Sequence, residues 1–214
     1  MTEAFPSSVT ELAQALVRIP SVNPDGEPGT EKTGEAQCAA FVARFLEAAG
    51  ATAVLEEVLP GRPNVIGRFP SEPLEGGGQK PVVLFGPHTD TVGVGGMTID
   101  PFGGEVRDGR LWGRGACDTK GPMAAMLWAL WEVREEIPHL PVEVHFAGFM
   151  SEESSQYGSR HFAKHHARTT PLPSLQSPPA CRRSSNTKAA CGRTLRPLAW
   201  RCMAPGLNWG KMRS

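Results

Sequence analysis

Apolar residues recur at helical spacing in three segments of the chain. A capping box, Ser-Val-Thr-Glu at positions 8–11, begins the first segment and predicts a helix that ends before Pro20. The second segment runs from about Glu35 to Ala49 and stops at Gly50, a residue type that commonly terminates helices. The third opens at positions 121–122, Gly-Pro, because proline is favoured in the first turn of a helix.

Strand-like runs lie between and after these helices. They cover positions 53–58, 64–69, 82–86 and 142–149. The run at 82–86 is short and continuously apolar, which predicts a central, buried strand. Positions 106–112 predict a hairpin with Asp-Gly at its turn. Helices and strands that alternate in this way predict an α/β fold.

The amino-acid composition indicates the general class of the protein. With 214 residues, 40% hydrophobic and 21% charged, the chain has the balance of an ordinary globular protein. Neither a secretory signal pattern nor an apolar run of membrane-spanning length is present, so we expect a cytoplasmic protein without membrane contact. The five cysteines form no CxxC pair and no even framework, which predicts free thiols rather than disulfides or a zinc ribbon.

Charge divides the chain into two unlike parts. Positions 1–168 hold all 22 acidic residues and 14 of the 22 lysines and arginines, for a net charge of −8. Positions 169–214 hold the other eight basic residues and no acid, for a net charge of +8, together with six prolines and three cysteines. We therefore treat 1–168 as the structured part and expect 169–214 to be irregular, without a defined fold.

Three short polar clusters follow the predicted strands and the hairpin. They contain His88 and Asp90, then Asp118 in a glycine-rich segment, then the pair Glu152 and Glu153. Singly, they have ordinary explanations: a turn after a strand, an acid at a helix start and a solvated acidic turn. Imidazole and carboxylate groups are ligands that zinc accepts, and the carboxyl ends of strands are where α/β proteins place their sites. The three clusters together favour a metal site.

The same residues carry a family resemblance. Positions 88–92 (His-Thr-Asp-Thr-Val), 100–102 (Asp-Pro-Phe), 113–121 (Gly-Arg-Gly-Ala-Cys-Asp-Thr-Lys-Gly) and 152–153 (Glu-Glu) resemble the M20 metallopeptidases in order and spacing. Positions 19–24 are similar to the N-terminal segment of that family, so the resemblance covers about 8–168. The M28 aminopeptidases share the ligand pattern, but the segments at 100–102 and 113–121 favour M20.

The resemblance implies a fold, a cofactor and site roles. The fold would be an incomplete zinc-peptidase-type catalytic domain, with a mixed, mainly parallel sheet flanked by helices. His88 and Glu153 would be ligands to two different zinc ions, with cobalt as the alternative metal, and Asp118 would bridge the ions. Asp90 would orient His88, and Glu152 would be the general base. The substrate implied is an N-acyl amino acid or a small peptide, cleaved at an amide bond.

The family pattern also requires parts that this sequence lacks. After His166 there is no His, Asp or Glu to serve as the later ligands, and no His-Gly segment of a lid domain. Zinc binding by Cys181, Cys191 and Cys202 is disfavoured by their spacing, and a basic nucleic-acid tail is disfavoured by the prolines and the lack of an aromatic pattern.

A shifted reading frame explains the tail better. Back-translation one nucleotide earlier permits an Ala-Glu-Pro-Thr string from 169–180 and a lid-like string with His-Gly from 200–213. We therefore predict a frameshift close to Arg168, which leaves two hypotheses for function. One is an M20 amide hydrolase by ancestry. The other is a truncated, inactive fragment with at most weak metal or partner binding. No dimer is expected, because the lid through which the family pairs is missing.

Overall fold

A computed structural model describes residues 5–166 of the chain, so the predicted tail at 169–214 lies outside the described residues. Four helices and six strands make up the fold of this part. The helices are α1 (Val9–Arg18), α2 (Glu35–Ala48), α3 (Lys120–Glu132) and α4 (Tyr157–His166). The strands are β1 (Thr52–Leu59), β2 (Arg62–Arg68), β3 (Val82–Phe85), β4 (Glu105–Arg107), β5 (Arg110–Trp112) and β6 (Glu143–Gly148). A short 3-10 helix, Ile137–His139, precedes β6.

The main sheet has four strands in the order β1-β2-β6-β3. The α/β class and the mixed sheet flanked by helices are confirmed, but the expectation of a mainly parallel sheet is wrong for the described residues. β1 pairs antiparallel with β2, and β2 pairs antiparallel with β6; only β3 and β6 are parallel. The reason is local, since β1 and β2 are joined by a two-residue turn at Pro60 and Gly61, with Gly61 at φ 72°.

The position of β3 also differs from the prediction. The apolar run at 82–86 was expected to form a central strand, yet β3 lies at one edge of the described sheet. Of its four residues only Val82 is buried, and the other three are half-buried. An apolar run shows that a strand is covered on its faces, but it carries no information about which strands flank it.

Helices cover both faces of the sheet. Along β2 and β6 successive side chains point to opposite faces, so Val65 and Phe146 join the larger core while Ile66 and Ala147 join a smaller one. The larger core is built with α1, α2 and α3, whose buried residues include Leu16, Leu46 and Leu127. On the other face Phe162 of α4 packs against Ile66 and Ala147.

Local sequence signals correspond closely to the ends of the elements. The side chain of Ser8 caps α1 by accepting a hydrogen bond from the Glu11 backbone N–H at 3.2 Å. Gly50, at φ 90°, follows α2 as predicted. The hairpin β4–β5 turns at Asp108 and Gly109, both at positive φ, as the Asp-Gly pair predicts. No helix within residues 5–166 is long and apolar enough to cross a membrane.

Candidate metal centre

Two parallel strands bring the first and third polar clusters together. β3 and β6 run side by side with Phe85 opposite Phe146. The pairing continues beyond the strands, where His88 lies opposite Phe149 and the Thr89 N–H donates to the Phe149 carbonyl at 2.8 Å. The segment after β3 and the turn after β6 therefore lie side by side, as residues at adjacent parallel strand ends must.

Hydrogen bonding fixes the orientation of the His88 ring. Its Nδ1 is 3.0 Å from the backbone oxygen of Asp90 and 3.3 Å from the Asp90 Oδ1. Because a carbonyl oxygen only accepts, Nδ1 carries the hydrogen and Nε2 faces the opposite way. Nε2 lies 3.1 Å from Asp118 Oδ1 and 3.8 Å from Glu152 Oε2. The ring thus presents one nitrogen to a group of carboxylates.

Asp90 is a buried carboxylate that joins several parts of the site. Its Oδ1 accepts from the Glu152 backbone N–H at 2.9 Å, and its Oδ2 accepts from the Glu153 N–H at 3.0 Å. Burial by itself would raise the pKa of Asp90, but the hydrogen bonds from His88, Asn23 and these two N–H groups lower it below its ordinary value. Asp90 is therefore ionised at neutral pH and holds both the imidazole and the glutamate turn.

The glycine-rich loop before α3 carries Asp118 to the same place. Gly115 has φ 81°, and a side chain there would lie within 2.9 Å of the Thr91 methyl carbon and 3.1 Å of the Lys120 Cδ. Lys120 is fully buried, and its ammonium group donates to the backbone oxygen of Ile19. The loop is thus packed tightly against the segment that follows α1, which leaves the Asp118 carboxylate exposed at the site.

Donor atoms of three residues converge. One ligand atom each from His88, Asp118 and Glu153 lies within 4.8 Å of the others, and no second group of this kind occurs in residues 5–166. Two further acidic side chains lie beside them: Asp90 is buried and Glu152 is exposed. An open depression lined by Val92, residues 113–118 and Glu153 runs alongside.

The electrostatics of the cluster favour a cation. Burial by itself would lower the pKa of His88, but the carboxylates of Asp90, Asp118 and Glu152 outweigh it and raise that pKa to about 9. Burial raises the pKa of Glu153, the charge of His88 partly opposes this, and the carboxylates of Asp118, Asp90 and Glu152 raise the pKa further. One imidazole and two carboxylates in this arrangement are a donor set that suits a divalent metal ion.

The sequence interpretation missed a second layer of polar residues behind this cluster. The Nδ2 of Asn23 donates to Asp90 at 2.7 Å, and Glu35 accepts from the Ser151 backbone N–H at 3.0 Å. Arg62 forms an ion pair with Glu35. Asn23 could have been found from the sequence, because it lies in the family-like segment at 19–24. Glu35 and Arg62 could not, because each is only the first residue of a helix or a strand and belongs to no motif.

Comparison with known proteins agrees with this arrangement. The family model for peptidase family M20/M25/M40 matches residues 84–187. The succinyl-diaminopimelate desuccinylase of Methylorubrum extorquens strain PA1 is 40% identical over 124 residues, which are 55% of this chain and 28% of the relative. The chain thus spans less than a third of that relative's length.

Solved structures share the fold. Human carnosine dipeptidase 1 superposes with a TM-score of 0.60 at 24% identity, over 73% of this chain and 34% of that one. The dipeptidase Dug1p of Saccharomyces cerevisiae gives a TM-score of 0.61 at 20% identity, over 75% of this chain and 35% of that one. The family model and the desuccinylase relative show that this part of the chain is similar to the M20 peptidase family, and the solved structures show the same fold.

Proposed function

We propose that this chain is part of a metal-dependent hydrolase that cleaves an amide bond. The observation that carries the proposal is the convergence of His88, Asp118 and Glu153, whose donor atoms lie within 4.8 Å of one another. The contact between His88 Nδ1 and Asp90 supports it, because ligating histidines usually donate their other ring N–H to a carboxylate or carbonyl.

Zinc is the metal that we propose for this donor set, with cobalt as the alternative. His88 and Glu153 would be ligands to two different ions, as the resemblance to the M20 family implies, and Asp118 would be a ligand to both. When bound, zinc acts as a Lewis acid that polarises a carbonyl group and acidifies water. Asp90 would keep the His88 ring in the orientation that presents Nε2 to the ion, because Nδ1 is already engaged.

Glu152 is the proposed general base. Its backbone is fixed by Asp90, its side chain is 45% exposed, and its Oε2 lies 3.8 Å from His88 Nε2. A carboxylate at this distance is close to the donor atoms yet open to solvent, so it can accept a proton from the attacking water and deliver it to the departing amine.

The substrate class is proposed from the relatives. A desuccinylase and two dipeptidases are among the similar proteins, and the bonds that their names imply are amide bonds. We propose an N-acyl amino acid or a small peptide as the substrate of the full-length protein.

A glutamine substitution at the base tests the proposal. Glu152→Gln keeps the size of the side chain and removes its basicity, so hydrolysis of N-acyl amino acids or dipeptides should fall by about 10²- to 10⁴-fold with zinc content unchanged. Glu47→Gln, at an exposed position on α2, is the control and should retain wild-type activity. Activity that survives in Glu152→Gln would refute the assignment of the base.

A second candidate is a fragment without catalytic activity. Two observations favour this candidate. The chain spans only 28% of the length of the desuccinylase relative, and residues 5–166 contain a single group of three possible metal ligands. Zinc bound at less than one ion per chain, with no hydrolysis by the wild-type chain, would support this candidate. Zinc near two per chain with hydrolysis would exclude it.

A further inference from the structure

Several buried polar side chains beside the metal centre have no role in the proposed reaction, and Asn23 is one of them. Asn23 is only 1% exposed, although it lies in the irregular segment after α1. Its Nδ2 donates to Asp90 Oδ2 at 2.7 Å and to Ser154 Oγ at 3.1 Å. An amide buried to this extent is costly unless it is hydrogen-bonded, and here both of its hydrogens have acceptors.

The hydrogen bond from Asn23 helps to fix the orientation of the Asp90 carboxylate. Asp90 Oδ1 faces His88 Nδ1 and the Glu152 N–H, and Oδ2 faces Asn23 and the Glu153 N–H. Rotation of the carboxylate would break several of these contacts together. Asn23 supplies a hydrogen bond to Asp90 that comes from outside the two strand ends.

The amide oxygen of Asn23 is also hydrogen-bonded. Its Oδ1 accepts from the Asp25 backbone N–H at 3.0 Å and lies 3.4 Å from an Arg62 nitrogen. Arg62 is paired with the buried Glu35, and Glu35 accepts from the Ser151 N–H at 3.0 Å. The chain of contacts therefore begins at Asn23 and returns to the turn that carries the two glutamates.

We propose that Asn23 is a positioning residue for the metal centre, acting through Asp90 on His88 and on the turn of Glu152 and Glu153. Its side chain forms hydrogen bonds with Asp90, Ser154, Asp25 and Arg62, and none of these is a proposed ligand. This inference rests on the proposed function, because it requires that His88, Asp118 and Glu153 bind a metal ion. Residues that support ligands in this way typically change metal affinity by about 10- to 100-fold when they are replaced.

A buried leucine provides a control for a general loss of stability. Leu46 on α2 is fully buried in the larger core, where its side chain lies against Gly67 of β2. An apolar side chain cannot hydrogen-bond to Asp90. Loss of either side chain should lower stability, and only loss of Asn23 should alter the metal centre.

The experiment compares Asn23→Ala, Asn23→Leu and Leu46→Ala in the full chain. Zinc affinity is measured by competition with a chromophoric chelator, and the visible absorption spectrum is recorded for each protein with Co²⁺ bound. We expect the Asn23 variants to bind zinc about 10- to 100-fold more weakly and to show a shifted cobalt spectrum. Leu46→Ala should have a lower Tm with unchanged zinc affinity and spectrum. If Asn23→Ala does not fold, Asn23→Leu, which is uncharged and of similar size, gives the same comparison.

The outcomes separate the two proposals. Wild-type zinc affinity and spectrum in the folded Asn23 variants would overturn the positioning role while leaving the metal centre intact. An equal loss in Leu46→Ala would also overturn it, because the effect would then be a general consequence of a disturbed core. A wild-type chain that binds neither zinc nor cobalt would refute the proposed function, and the role of Asn23 with it.

Discussion

His88 is a buried imidazole surrounded by carboxylates, and protons and metal ions compete for its Nε2. Asp90 contacts its Nδ1, while Asp118 and Glu152 face Nε2 at 3.1 and 3.8 Å. These three carboxylates stabilise the protonated ring more than burial destabilises it, which raises the pKa of His88 to about 9. At neutral pH a divalent ion must therefore displace a proton in order to bind.

Zinc affinity should rise with pH for this reason. Below pH 9 the His88 ring holds the proton, so each unit of increase in pH should strengthen zinc binding by up to about tenfold, levelling off near pH 9. Calorimetric titrations between pH 6 and 9 in buffers of different ionisation enthalpy measure both the affinity and the protons released. His139→Gln, which removes an exposed histidine paired with Glu72, should leave the dependence unchanged. An affinity independent of pH would show that His88 does not bind the ion.

The elements differ in how far they could be predicted. α1, α2 and the β4–β5 hairpin were predicted because their signals are local: a capping serine, a glycine after the helix, and Asp-Gly at the turn. The order of strands in the main sheet could not be predicted, because the pairing of β2 with β6 joins positions that are about eighty residues apart.

The site shows the same division. His88, Asp90, Asp118, Glu152 and Glu153 are predicted as site residues because they stand in short, dense motifs. The supporting contacts of Asn23 join it to residues that are 67 and 131 positions away, so no local pattern marks them.

α4 is an element that the sequence interpretation did not include, and two histidines attach it to the sheet. Glu56 on β1 accepts from His161 and His166, each at 2.7 Å. Burial alone would raise the pKa of Glu56, but these hydrogen bonds and the charges of both imidazoles lower it. A depressed carboxyl pKa contributes stability that is present above its ordinary value of 4.5 and is lost as the pH falls through the lower, folded value.

Glu56→Gln should therefore loosen α4. The substitution removes the charge that both histidines contact, and we expect a loss of about 1–3 kcal/mol in the free energy of unfolding at pH 7. Hydrogen exchange should become faster in α4 than in α1. Glu57→Gln is the control, because Glu57 is exposed and the amide oxygen of the glutamine can still accept the hydrogen bond from the Gly61 N–H. Equal exchange in wild type and Glu56→Gln would show that packing of Phe162 alone holds the helix.

At the scale of the whole molecule, the chain matches only part of each relative. It spans 28% of the desuccinylase from Methylorubrum extorquens and 34% of human carnosine dipeptidase 1. We propose that residues 1–168 are the N-terminal part of a catalytic domain and that 169–214 are read out of frame. The charge of −8 before this boundary and +8 after it supports the proposal.

The nucleotide sequence tests this proposal directly. A frame shifted by one nucleotide near the codon for Arg168 should remain open and encode a family-like acidic segment, followed by a His-Gly segment. The family model matches the present reading frame as far as residue 187, which counts against a shift as early as Arg168, so the codons from 168 onward must be read in both frames. Stop codons in the shifted frame, or the absence of a His-Gly segment from it, would refute the frameshift.

The edge position of β3 has a consequence for how the chain behaves in concentrated solution. Its four residues, Val82–Phe85, are all apolar, and β6 pairs with only one of its sides in the described sheet. An uncharged strand with a free row of backbone N–H and C=O groups is a template on which another strand can add. β1, at the opposite edge, carries Glu56 and Glu57, whose charges oppose such addition. The tendency of the described region to self-associate is therefore concentrated along one side of the molecule.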